Sequence, residues 1–113
     1  MSTICSDQEI VKNTLSRSID FERQNPGRFA LPSEILEIFF RKYPRKRGLH
    51  FINSNPGRIY SAKEIEGIEK KVTDKLLATY SGYTQTPRTR DVLTDVFAEL
   101  KKLNISVSIS NSN

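Results

Sequence analysis

The sequence is poor in the residue types from which catalytic and metal sites are usually built. Its 113 residues include a single cysteine, Cys5, and a single histidine, His50. One cysteine excludes a disulfide within the chain, and these two residues cannot supply the usual zinc cage of cysteines and histidines. No serine or cysteine stands at a sequence spacing from a histidine or carboxylate that would indicate a nucleophile with its general base. We therefore expect a protein that is not an enzyme and that binds no metal or cofactor.

Long apolar runs and glycine-rich loops are also missing. The longest apolar runs, such as Ile38-Phe39-Phe40, are far too short to cross a bilayer. Residues 1–7 lack the basic stretch and the apolar core of a signal peptide. Asn55-Pro56-Gly57-Arg58 is typical of a turn and lacks the spacing of a phosphate-binding loop. These absences predict a cytoplasmic or nuclear protein without a membrane segment.

The length and composition fit one folded domain. The chain is 36% apolar and 27% charged, which is well short of the composition of disordered proteins. A chain of this size buries roughly two-thirds of its unfolded surface, enough for one modest core. We expect a single domain over residues 1–113, of which residues 110–113 form a polar tail.

Two helical patterns occupy the first part of the chain. Apolar residues recur at helical spacing after a capping box formed by Ser6 and Glu9. This helix should end before Asn25-Pro26-Gly27, which favours a turn. A second helix is expected to start near Pro32, to carry crowded apolar side chains, and to stop before Pro44.

Two further helices and a strand are predicted in the second half. The third helix begins with a capping box at Ser61 and Glu64 and extends to about Tyr80. The fourth, residues 87–103, has the clearest amphipathic pattern, and the alternation that follows at residues 105–109 is typical of a strand. The sequence therefore predicts a mainly α fold, a compact bundle of about four helices with a minor short β element.

The positive charge is concentrated in residues 41–63, which we call the basic segment. The segment holds seven basic and no acidic residues, whereas residues 1–40 carry a net charge of −2 and residues 64–113 a net charge of 0. It therefore accounts for the whole excess of +5. The seven cations are Arg41, Lys42, Arg45, Lys46, Arg47, Arg58 and Lys63.

Clustered cations of this kind favour nucleic acids, because each neutralised phosphate releases a counterion. Tyr43 interrupts the cluster and could stack on a base or a ribose. Contacts to the backbone position a protein without reading bases, so weak sequence specificity is expected, with DNA and RNA equally possible. A nuclear-import signal and a solvated loop remain alternatives for residues 41–47.

Two stretches resemble winged-helix DNA-binding domains, and together they cover about half of the chain. Residues 49–65 are similar to the part of that family in which a Pro-Gly turn and a short strand lead to a capped helix. Residues 88–105 resemble the recognition helix and the strand after it. The resemblance implies that Ile59 and Tyr60 pair with residues 105–109. It also implies that the groove-facing start of the recognition helix carries Arg88, Thr89 and Arg90.

Carboxylates are expected to limit where phosphates can bind. The fourth helix carries Asp91, Asp95 and Glu99 at steps of four on the face expected to be exposed, which would repel phosphates. Contacts from this helix should therefore be confined to Arg88 and Arg90. The glutamates of the third helix are interpreted as a solvated face.

The sequence thus predicts a small non-enzymatic nucleic-acid-binding protein, regulatory or accessory, that contacts phosphates through the basic segment. The alternative is a protein-interaction or homodimerising adaptor. It would use helix 87–103 and pair the strand at residues 105–109 with a partner's sheet edge.

Overall fold

A computed structural model of the protein describes residues 7–24, 30–43 and 49–109. This part of the chain is mainly helical, with one short two-stranded antiparallel sheet, so the predicted fold class is confirmed. In chain order the elements are α1 (Asp7–Arg23), α2 (Pro32–Glu37) with a π-helical turn (Ile38–Lys42), β1 (Leu49–Asn53), α3 (Ala62–Tyr80), α4 (Thr89–Lys102) and β2 (Ile105–Ile109).

The signals at the helix ends explain most of these bounds. The capping box of α3 is confirmed: Ser61 Oγ accepts from the Glu64 amide at 3.2 Å, and Glu64 Oε1 accepts from the Ser61 amide at 2.9 Å. Asn104, with φ at 61°, is the left-handed residue after α4. The other predicted capping box depends on Ser6, which lies outside the described residues.

The second helix changes its geometry before it ends. The Tyr43 amide donates to the Ile38 carbonyl, five residues back, which is the pattern of a π-helix. The extra residue in this turn lets both Phe39 and Phe40 face the core, and their rings meet edge to face at 5.0 Å. Periodicity at 3.6 residues predicted a continuous helix here, and the π-helical turn was not anticipated.

Phe39 lies at the centre of the core. It is fully buried, and its ring centre is 5.7 Å from that of Phe51 and 5.6 Å from that of Phe97. The apolar face of α4 packs into the same cluster through Val92, Leu93, Val96, Phe97 and Leu100. The adaptor hypothesis assigned helix 87–103 to a partner, but its apolar face is used within the chain.

The sheet joins two segments that are far apart in sequence. β1 pairs with β2 in antiparallel register, with His50 opposite Ser108 and Asn53 opposite Ile105. The predicted pairing of Ile59 and Tyr60 with β2 is therefore wrong. Ile59 forms only an isolated bridge to Ile52, on the other side of β1. β1 (Leu49–Asn53) is longer than the Ile59–Tyr60 segment, so it offers β2 more ladder hydrogen bonds, and it also buries Phe51. This accounts for the pairing of β2 with β1.

Candidate nucleic-acid interface

The first arginine of the basic segment is held by a glutamate of α3. Arg41 Nε donates to both carboxylate oxygens of Glu69, at 3.1 and 3.0 Å. The Glu69 side chain is only 12% exposed, whereas that of Arg41 is 63% exposed. The hydrogen bond and the charge of Glu69 raise the pKa of Arg41, with smaller contributions from Glu37 and Glu66. Arg41 is therefore at the surface but already has an anionic partner.

Arg58 has a glutamate partner of its own. Its Nη1 and Nη2 donate to the two carboxylate oxygens of Glu64, at 3.0 and 2.8 Å, in the parallel geometry of a bidentate pair. The guanidinium also stacks over Tyr60, 4.8 Å from the ring centre. Hydrogen bonds from Arg58 and from the Ser61 amide lower the pKa of Glu64 to about 2.

These two Arg–Glu pairs, Arg41–Glu69 and Arg58–Glu64, correct the interpretation of the α3 glutamates as a purely solvated face. A sequence signal existed for one of them. Glu64 is fixed at the helix start by its capping box, six residues after Arg58, so the turn between them brings the two side chains together. Arg41 and Glu69 are brought together only by tertiary packing.

Tyr43 cannot stack on a base in this structure. Its side chain is 2% exposed and belongs to the hydrophobic core. Its inward orientation follows from the preceding π-helical turn, which sets the face that residue 43 presents. The prediction that this tyrosine contacts nucleic acid is therefore wrong.

The remaining cations of the basic segment fall into two groups. Lys42 and Lys63 are exposed, at the end of the π-helical turn and in the first turn of α3. Arg45, Lys46 and Arg47 lie outside the described residues, and their predicted role stays a prediction.

The acidic stripe of α4 was expected to face solvent, but two of its three carboxylates face α3 instead. Tyr80 Oη donates to Asp95 Oδ2 at 2.7 Å, and Lys75 Nζ lies 2.9 Å from Glu99 Oε1, so both carboxylates face α3. Asp95 and Glu99 are half-buried, and of the three only Asp91 is exposed. The charge repulsion assigned to this helix is thus largely cancelled by its own neighbours.

The solvent-facing stripe of α4 is neutral to basic instead. Arg90, Thr94, Ala98 and Lys101 are all exposed and follow one another at steps of three and four. Arg88 is the residue that precedes the helix and is also exposed. Arg88 and Arg90 therefore lie at the start of α4, as expected.

A shallow groove between α1 and α4 was not anticipated. It has a volume of about 250 Å³, and Lys12 Nζ donates to Thr94 Oγ1 across it at 3.3 Å. Its lining includes Gln8, Phe97 and Lys101. The residues that form it are about 80 positions apart in sequence, so no local pattern could have identified it.

No protein-family model, curated protein or solved structure matches this chain. Within the described ranges, no helix is long and apolar enough to span a membrane. The same part of the chain contains no group of three or more metal-ligating side chains. The function of the chain must therefore be inferred from the charges and contacts described above.

The hydrogen bond between Tyr80 and Asp95 predicts a loss of stability at high pH. Burial, and then Asp95, raise the pKa of Tyr80 above its ordinary value of 10. The folded state therefore keeps the phenol neutral where the unfolded chain ionises, and the free energy of unfolding should fall as pH rises above 10. Urea unfolding across this range should show a shallower fall for Tyr80→Phe than for the wild type.

Tyr83→Phe is the matched control for this measurement. Tyr83 contacts the Tyr80 ring at 5.4 Å between centres but is 53% exposed. Tyr83→Phe should change the pH dependence much less than Tyr80→Phe does, because Tyr83 contributes less to the raised pKa of Tyr80 than burial and Asp95 do. Identical pH profiles for the wild type and Tyr80→Phe would contradict the assignment.

Proposed function

We propose that this chain is a small non-enzymatic nucleic-acid-binding protein, regulatory or accessory, that contacts phosphates through the basic segment. The observation that carries the proposal is the location of the charge. Of the four cations of the segment that the structure describes, Arg41 and Arg58 are matched by glutamates. The charges of the other five cations of the segment sum to +5, which equals the net charge of the chain. Two of these five, Lys42 and Lys63, lie in the described part of the chain, and both are exposed.

A winged-helix arrangement is part of the proposal. From α2 to β2 the order is helix, strand, helix, helix, strand. Arg88 and Arg90 at the start of α4 are suited to phosphate contacts, because the positive end of the helix dipole adds to their charge. The inward-facing carboxylates of α4 remove the main electrostatic objection to its approach to DNA.

The test is binding to short mixed-sequence duplex and single-stranded oligonucleotides over a salt series. Each phosphate contact contributes about −0.9 to the slope of log K against log salt for duplex DNA, so five cations predict a slope of up to about −4.5. Lys42→Glu combined with Lys63→Glu should reduce the magnitude of the slope by about 2 and lower the affinity more than about 10-fold. Fluorescence anisotropy gives both quantities.

Arg17→Glu combined with Lys71→Glu is the matched control. All four residues are exposed, and both double variants change the net charge by the same amount. The control should retain the slope of the wild type. Equal losses in the two variants would show a general charge effect without a site. Salt-independent self-association without oligonucleotide binding would instead favour the adaptor.

A further inference from the structure

We infer that Glu64 and Glu69 act as internal competitors for the phosphates of a polyanion, so that Arg58 and Arg41 become available only when these carboxylates are displaced. The inference rests on the proposed function, because it concerns regulation of the same surface. It assigns an autoinhibitory role to two carboxylates of α3, a helix otherwise expected to be structural.

The geometry of the Arg58–Glu64 pair is the geometry of phosphate recognition, whereas Arg41 donates to Glu69 through Nε alone. An arginine binds a phosphate through the same parallel N–H donors that it offers to a carboxylate. In the Arg58–Glu64 pair, Nη1 and Nη2 are both used by the carboxylate. A phosphate that is to receive those two bonds must replace Glu64.

The charges around Arg41 lead to the same conclusion. Glu69 bonds to the guanidinium directly, and Glu37 and Glu66 act on it through their charges. Glu69 therefore offsets most of the charge that Arg41 could present to a phosphate. Because the pKa of Glu64 is about 2, that carboxylate keeps its charge at neutral pH, and competition by a polyanion is needed to displace it.

The pairs are weak enough to be displaced. Arg58 and Glu64 are 50% and 40% exposed, so water screens this ion pair from both sides. In the other pair Arg41 is 63% exposed but Glu69 only 12%, so water screens that pair mainly at the arginine. The cost of opening one pair corresponds to a loss of affinity of about 2- to 5-fold. The two carboxylates together should therefore lower affinity by about 4- to 25-fold.

The experiment replaces both carboxylates by their neutral isosteres. In Glu64→Gln with Glu69→Gln, the amide oxygen of the new side chain at position 64 can still accept from the Ser61 amide, so α3 keeps its start. Binding to a mixed-sequence DNA duplex should tighten by about 4- to 25-fold. The slope of log K against log salt should become steeper by up to about 2, because two more cations meet phosphates.

Two controls separate competition from a general gain of positive charge. Glu37→Gln with Glu66→Gln makes the same change in net charge on the same surface, at exposed carboxylates that act on Arg41 only through their charges and form no ion pair within 4 Å among the described residues. It should give a smaller gain and an unchanged slope. Adding Arg41→Ala and Arg58→Ala to the Glu64→Gln, Glu69→Gln variant should abolish the gain.

Each outcome supports or overturns the inference. Equal gains in the two glutamine variants, or no gain while the wild type binds, would overturn the inference and leave the proposed function standing. If neither the wild type nor the Glu64→Gln, Glu69→Gln variant binds, the proposed function fails as well. Binding by that variant alone, with loss on Arg41→Ala and Arg58→Ala, would support complete inhibition by the glutamates.

Discussion

Replacing Phe39 with alanine is expected to lower the free energy of unfolding by about 3–5 kcal/mol. The side chain is fully buried and contacts three other aromatic rings, so its removal leaves a cavity that its neighbours cannot fill without moving. Native proteins are typically stable by about 5–15 kcal/mol, so a variant at the low end of this range should have a measurable unfolded fraction in the absence of urea. Urea denaturation followed by circular dichroism measures the change.

Phe21→Ala is the matched control, because the substitution is the same but the side chain is 72% exposed. Its effect should be within about 0.5 kcal/mol. Similar losses at the two positions would show that Phe39 is not at the centre of the core.

Reversing the charge of Arg45, Lys46 and Arg47 together should have the largest effect on binding. If each contacts a phosphate, Arg45→Glu, Lys46→Glu and Arg47→Glu remove about 2.7 from the magnitude of the salt slope and lower the affinity by at least about 100-fold at moderate salt. Titration of a labelled duplex over a salt series measures both quantities.

The control for this triple variant is Arg17→Glu with Lys70→Glu and Lys71→Glu, which changes the net charge equally at exposed positions. It should lower the affinity much less and leave the slope unchanged. The import alternative gives a different result. In that case the triple variant would bind the duplex normally, but a fluorescent fusion would no longer accumulate in nuclei.

The helices could be predicted because their ends are encoded locally. Ser61 and Glu64 start α3, Pro32 starts α2, and Asn104 follows α4, each through bonds or dihedral preferences within a few residues. The apolar spacing of α4 identified its buried face for the same reason. The sequence predicts a start of α4 near Pro87, two residues before the observed start at Thr89, since Arg88 is not a typical capping residue.

The partners of side chains across the fold could not be predicted. Asp95 and Glu99 have helical spacing that fits exposure equally well, and only the packing of α3 against α4 provides Tyr80 and Lys75 as partners. Tyr43 interrupts a cluster of cations, which suggested that it stacks on a base, but the side chain is buried after the π-helical turn. The concentration of charge in the basic segment is a property of the sequence itself, whereas the pairing of Arg41 with Glu69 depends on long-range geometry.

The sheet has a consequence for the order in which the chain folds. β1 and β2 pair across an intervening stretch of about 50 residues that contains the whole of α3 and α4. Closing so long a loop has an entropic cost that the first ladder bonds cannot offset, whereas the antiparallel contact of the two helices closes only a short connection. We therefore expect α3 to dock on α4 before the two strands pair, because this contact brings the end of β1 close to the start of β2.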